Sequence, residues 1–138
     1  MLHSCKWNEL SGMEFYEDSN RLDRKIWSRN GWEIEYSIHF TSTCDDPNGD
    51  KPKSLRSLNT VFAFHGFARP LEDFIPLVAL WPKDYAFISV HLPHHGKSGP
   101  DPRLLPLDAA IEPKDLLHIL TEIAKNEGVK SDSFDLIG

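Results

Sequence analysis

A glycine that follows a buried strand and precedes a helix leaves a backbone amide free to meet a negative charge. His65-Gly66-Phe67-Ala68 is placed that way, after the apolar run Val61-Phe62-Ala63-Phe64. Open α/β sheets bind their ligands at the carboxyl ends of strands, which is where this turn would lie. There Gly66 would let a ligand approach the backbone, and the amide of Phe67 could stabilise a developing oxyanion, as in the tetrahedral intermediate of acyl transfer. The tripeptide alone is explained more simply by a tight turn at Gly66 with His65 hydrogen-bonded to its loop.

A second segment, His91-Leu92-Pro93-His94-His95-Gly96-Lys97-Ser98-Gly99, follows the apolar run Ala86–Val90. As a phosphate loop it fails, because His91 stands where a glycine is needed ahead of Gly96-Lys97-Ser98. His91, His94 and His95 suggest a metal site, but adjacent histidines on an irregular loop rarely share one ion, and no carboxylate lies at ligand spacing. A nucleophile elbow on Ser98 fails as well, since Pro100 replaces the glycine required two residues on. What remains is a rigid Pro/Gly loop lining a cleft. At the other end of the chain, Phe134-Asp135-Leu136-Ile137-Gly138 reads as one more buried strand, of the kind that leads into a Gly-x-Ser-x-Gly turn, with only the first glycine present.

These segments need a sheet to position them. Arg24–Arg29 and Trp32–Phe40 flank Asn30-Gly31, the dipeptide suited to a type I′ hairpin turn. In the second strand Trp32, Ile34, Tyr36, Ile38 and Phe40 alternate with Glu33, Glu35, Ser37 and His39, which predicts a sheet with one wet face. Residues 41–58 have loop chemistry around Asp45-Asp46-Pro47-Asn48-Gly49 and predict a surface excursion. Residues 60–64 and 86–90 are short, nearly continuous apolar runs, as in strands covered on both faces. Leu71–Trp81 has helical spacing, with Pro70 at its start and Pro76 expected to kink or shorten it. A longer helix runs from about Pro113 to Glu127, carries the stripe Leu116, Leu117, Ile119, Leu120, Ile123 and Ala124, and stops at Gly128. A hairpin followed by strand–helix–strand–helix–strand implies a mixed sheet with a parallel centre and helices on its faces.

Composition narrows the function. The chain has 138 residues with 40% hydrophobic and 26% charged, enough for one folded domain with a core. A net charge of −6 without any basic block argues against nucleic acid as a partner. No apolar stretch reaches membrane-spanning length and no signal-peptide core follows Met1, so no membrane partner is expected and the cytoplasm is the default compartment. Cys5 and Cys44 are too few and too isolated for a disulfide framework or a thiolate metal site. No cofactor and no metal are expected.

Taken together, the order and spacing of these segments resemble the α/β-hydrolase fold superfamily, in the branch of esterases, epoxide hydrolases, haloperoxidases and C–C hydrolases. The resemblance rests on Phe64-His65-Gly66-Phe67, on Asp73-Phe74-Ile75-Pro76-Leu77, on Pro93-His94-His95-Gly96-Lys97-Ser98 and on Phe134–Gly138. It covers residues 23–138 as a partial domain, incomplete at its C-terminus, and leaves 1–22 as an unmatched arm. It implies the N-terminal portion of that fold, an antiparallel hairpin followed by parallel strands with helices on the sheet faces.

By this resemblance Phe67 supplies the oxyanion-hole N–H, His65 and Gly66 form the turn supporting it, and His95, Gly96 and Ser98 belong to a structural loop nearby. His91 stands where the family usually has an acid, and His94 where a glycine is common. The family's nucleophile, acid and base all fall beyond Gly138, so the chain is expected to be inactive alone. The expected activity of the complete protein is hydrolysis of a small-molecule ester or related bond by a serine nucleophile. A non-catalytic binding module, or a lyase or C–C hydrolase on the same scaffold, are the alternatives.

Overall fold

The computed structural model describes residues 24–41, 57–66 and 69–138. The expected arm at 1–22, both cysteines and most of the excursion at 41–58 lie outside the described residues.

The chain enters a hairpin, β1 (Lys25–Arg29) and β2 (Trp32–Phe40). Asn30 and Gly31 take φ of 50° and 88°, the positive pair of a type I′ turn. Strand β3 (Asn59–Phe64) is followed by a 3₁₀ turn at Leu71–Phe74 and then helix α1 (Ile75–Leu80). The expected single helix is thus split next to Pro76, which lacks the N–H that an α-turn would donate to Glu72. Ile75 instead donates to the Glu72 carbonyl in 3₁₀ fashion. Leu71, Ile75 and Val78, spaced by four and three residues, are the buried positions of this stretch.

Strand β4 (Tyr85–Val90) precedes the two-residue strand β5 (Gly99–Pro100), helix α2 (Pro113–Glu127) and strand β6 (Asp135–Ile137). Helix α2 begins with Pro113 in its first turn and ends at Gly128, whose φ of 75° closes the last turn on the Ala124 and Lys125 carbonyls. Among the described residues, no helix is long and apolar enough to cross a membrane.

The sheet runs β1-β2-β4-β3-β6, with β5 pairing β2 off this path. Strands β1, β2 and β4 are antiparallel neighbours, whereas β3 lies parallel to β4 and to β6. Alternation along the strands sorts the core onto two faces. Phe62, Ala86, Ile88 and Val90 pack with Trp32, Ile34 and Tyr36 against Ile119, Leu120, Ile123 and Ala124 of α2. Val61, Ala63 and Phe87 pack with Val78 of α1. The connections leaving β3 and β4 therefore cover opposite faces, as right-handed crossovers require when the chain steps first one way along the sheet and then back.

One expectation for β2 is overturned. Its polar face is not wet throughout, because Glu35 and Ser37 are fully buried. The chain beyond β4 folds across this face at Glu35 and hydrogen-bonds the amide, carbonyl and carboxylate of that residue.

Candidate functional site

Strands β3 and β4 are adjacent and parallel, and their outgoing connections diverge to opposite faces. In open α/β sheets divergence of this kind marks the carboxyl ends of the two strands as the place where ligands bind. His65 and Gly66 leave β3 there, and His91 and Leu92 leave β4.

His65 is buried and joins the two exits. The Leu92 amide donates to His65 Nε2 at 3.1 Å, so that nitrogen carries no proton. Nδ1 must then hold the proton, and it donates to the Gly66 carbonyl at 2.6 Å. Burial is the main reason that the His65 pKa lies below the ordinary histidine value. The His91 and His95 charges push in the same direction, against the Gly66 carbonyl and Asp73. The ring is held neutral in one tautomer by its two bonds.

The Gly66 oxygen also accepts from the Arg69 amide at 3.2 Å. Two donors therefore converge on one carbonyl, and its peptide unit is the one that contains the Phe67 N–H. Hydrogen bonds to a peptide oxygen polarise its N–H as a donor. Phe67 itself lies outside the described residues. At Gly66 φ is not positive, and among the described residues a Cβ there would meet the Arg69 side chain alone, 3.7 Å away.

The loop after β4 is tied to β2 rather than opened toward a ligand. His91 Nδ1 lies 2.6 Å from Glu35 Oε1, both side chains being almost fully buried. The same carboxylate oxygen accepts from the Lys97 amide at 3.1 Å and lies 3.4 Å from the Arg24 guanidinium. Burial works to raise the Glu35 pKa, but the His91 and Lys97 hydrogen bonds and the Arg24 and His91 charges outweigh it and hold it below the ordinary glutamate value. Between the β4 and β5 pairings, the Glu35 amide donates to Ser98 Oγ at 2.7 Å, and its carbonyl accepts from the His91 amide at 2.9 Å. Ser98, buried and so engaged, is a loop anchor.

Gly96 closes this arrangement. It takes φ of 53°, and a Cβ on it would sit 2.1 Å from His91 Nδ1 and 2.5 Å from Glu35 Oε1. Only a glycine fits over the pair. His94 adopts φ of 69°, the left-handed conformation that a glycine takes with ease. Its Nε2 faces the Ala109 carbonyl at 2.9 Å, and its ring meets Trp32 edge-on at 6.5 Å.

Of the three loop histidines, the structure brings His91 and His95 to His65, with ring centroids 5.0 and 4.7 Å from it, and turns His94 away. Of this loop, Leu92 lines a cleft. Leu92 joins Phe64, Pro113, Leu116, Leu117, Leu120 and Leu136 around an apolar groove of about 470 Å³. A cavity of about 510 Å³ at the far end of α2, around Lys125 and Lys130, touches none of these residues.

Sequence reasoning missed the Glu35–His91 pair. The available signal was a histidine at 91 where the resemblance expects an acid, with an acid on the neighbouring strand.

No family model matches the chain, and neither does any curated protein. Solved structures do. A bacterial membrane phospholipase A is similar over 98% of this chain and 36% of its own, with 14% identity and a TM-score of 0.54. The Aspergillus niger epoxide hydrolase is similar over 92% and 31%, with 17% identity and a TM-score of 0.52. A lipase candidate from Acinetobacter baumannii is similar over 83% and 33%, with 16% identity and a TM-score of 0.50. The chain spans about a third of the length of these structures. With its antiparallel hairpin, its parallel strands and a helix on each face, it carries the N-terminal part of an α/β-hydrolase fold.

Proposed function

We propose that this chain supplies the oxyanion-binding part of a hydrolase whose complete protein cleaves a small-molecule ester, or a related bond, by a serine nucleophile. The Phe67 N–H is the donor in this reading, and His65 and Gly66 hold it in place. The observation that carries it is the convergence of His65 Nδ1 and the Arg69 amide on the Gly66 oxygen, just past the carboxyl end of β3. A peptide so bonded is a fixed dipole before any substrate arrives. Fixed donors of this kind lower a barrier because no reorganisation is needed when charge develops, each contributing about 3–4 kcal/mol. The neutral His65 adds no full charge; it acts by orientation. The similarity to structures described as an epoxide hydrolase and a phospholipase A supports hydrolysis as the reaction class.

Two measurements test this. Titrating the ¹⁵N-labelled chain with methylphosphonate, an anionic mimic of a tetrahedral intermediate, should move the Phe67 and Gly66 amide resonances in a saturable way. Reading the coding sequence past Gly138 should reveal a serine two residues on, followed by x-Gly. Unmoved amides overturn the oxyanion role, and any other residue at that position overturns the serine mechanism.

A further inference from the structure

The mechanism proposed above makes no use of Glu35 or His91, although they form a buried acid–imidazole couple between β2 and the exit of β4. The carboxylate can only accept, so the short contact requires a proton on His91 Nδ1. That bond fixes the angle of the His91 ring, which stands nearly perpendicular to His65, at 80° and 5.0 Å between centroids. His65 in turn can hold the Gly66 carbonyl and the Leu92 amide together only in one ring orientation.

Gly96 leaves the couple no room to shift, and the Lys97 amide occupies the same carboxylate oxygen. The groups facing the couple from packed elements are Arg24 ahead of β1, His65 after β3, and His95 and Lys97 in the loop itself. None of these groups is an acid, so none competes with Glu35 for the His91 proton.

We propose that Glu35 and His91 are positioning residues: the β2 carboxylate sets the His91 ring, and that ring holds His65 in the orientation that orders the Gly66 turn. The assignment rests on the oxyanion reading of that turn, and it places one determinant of the site on β2, which β4 separates from β3. A signal from β2 thus reaches the β3 exit through three side chains in contact.

The test is ring ¹⁵N spectroscopy on the 138-residue chain. In the unsubstituted chain His91 should be protonated at Nδ1, and His65 should show the single Nδ1–H tautomer. Glu35→Gln should abolish the single His65 tautomer and shift the Leu92 amide, while Glu33→Gln, on the same strand, leaves both unchanged. A merely structural role for Glu35 would lower stability without changing the His65 tautomer. The proposal is overturned if His91 carries its proton only on Nε2, a result that needs no variant and decides the matter even if Glu35→Gln fails to fold. It is equally overturned if a folded Glu35→Gln chain keeps the His65 tautomer and the Leu92 shift. Because the readout involves no anion, failure of the oxyanion reading would appear separately, as Gly66 and Phe67 amides that ignore methylphosphonate.

Discussion

The Leu92 amide donates to His65 Nε2 at 3.1 Å, so one neutral imidazole ties the exit of β4 to the exit of β3. Replacing His65 with leucine keeps a similar apolar volume but removes both the acceptor for Leu92 and the donor to Gly66. A hydrogen-bonding group left without its partner costs about 1–3 kcal/mol when buried. His65→Leu should therefore lower stability by about 2 kcal/mol, read as a shift of the urea midpoint at constant slope. A midpoint within experimental error of the parent would mean that the two strand exits are held together by other contacts.

Acid should unfold the chain in two stages. The His65 and His39 pKa values are lowered in the folded state, both mainly by burial. The unfolded chain then binds more protons than the folded one as pH falls below the ordinary histidine value of 6.5. The stability due to these neutral rings is complete above that value and is lost as pH falls through their folded pKa values. The Glu35 pKa is lowered as well, so its contribution is complete above the ordinary glutamate value of 4.5 and fails in a second, more acidic step. Denaturant midpoints measured between neutrality and pH 4 should fall first just below 6.5 and again below 4.5. Stability that stays level from pH 7 to 5 would contradict neutral, buried histidines.

Two glycines that look alike in the sequence should respond very unequally to alanine. At Gly96 a Cβ would overlap both His91 and Glu35, and the backbone conformation is left-handed. The methyl can be accommodated only by breaking the buried pair, so Gly96→Ala should cost about 3–5 kcal/mol. At Gly66 the nearest described atom is 3.7 Å away, and Gly66→Ala should change stability by about 0.5 kcal/mol or less. If Gly66 is glycine for the sake of a ligand, the same substitution should weaken methylphosphonate binding while leaving the urea midpoint in place. A Gly96→Ala chain as stable as the parent would show that the loop can lift off Glu35 freely.

These cases show which parts of the structure could be read in advance. The hairpin, the bounds of α2 and the parallel centre follow from period and punctuation: Asn30-Gly31, Pro113, Gly128 and the apolar runs are local signals acting on local structure. The position of His65 and Gly66 at a strand exit was legible for the same reason. Glu35 was not, because alternation assigns a residue to a face without telling what will cover that face. Its burial is decided by a loop more than fifty residues later in the chain, and by Gly96 in particular. Pro76 marks an intermediate case, where the interruption was foreseen but its form as a 3₁₀ turn depended on how Leu71, Ile75 and Val78 reach the sheet.

The apolar groove offers a last test of the packing. Leu117 and Leu136 remain about half exposed there, at 49% and 55%, beside Phe64, Leu92, Leu116 and Leu120. A contiguous concave surface of this kind binds apolar probes, whereas singly scattered leucines do not. The chain should therefore enhance the fluorescence of anilinonaphthalene sulfonate under native conditions. Combining Leu117→Glu with Leu136→Lys should remove most of that signal. Neither side chain gives up much buried area, so each substitution should change stability by about 0.5 kcal/mol or less. A signal that survives the double substitution would place the dye elsewhere, and one that disappears together with the urea transition would mean that these leucines are part of the core after all.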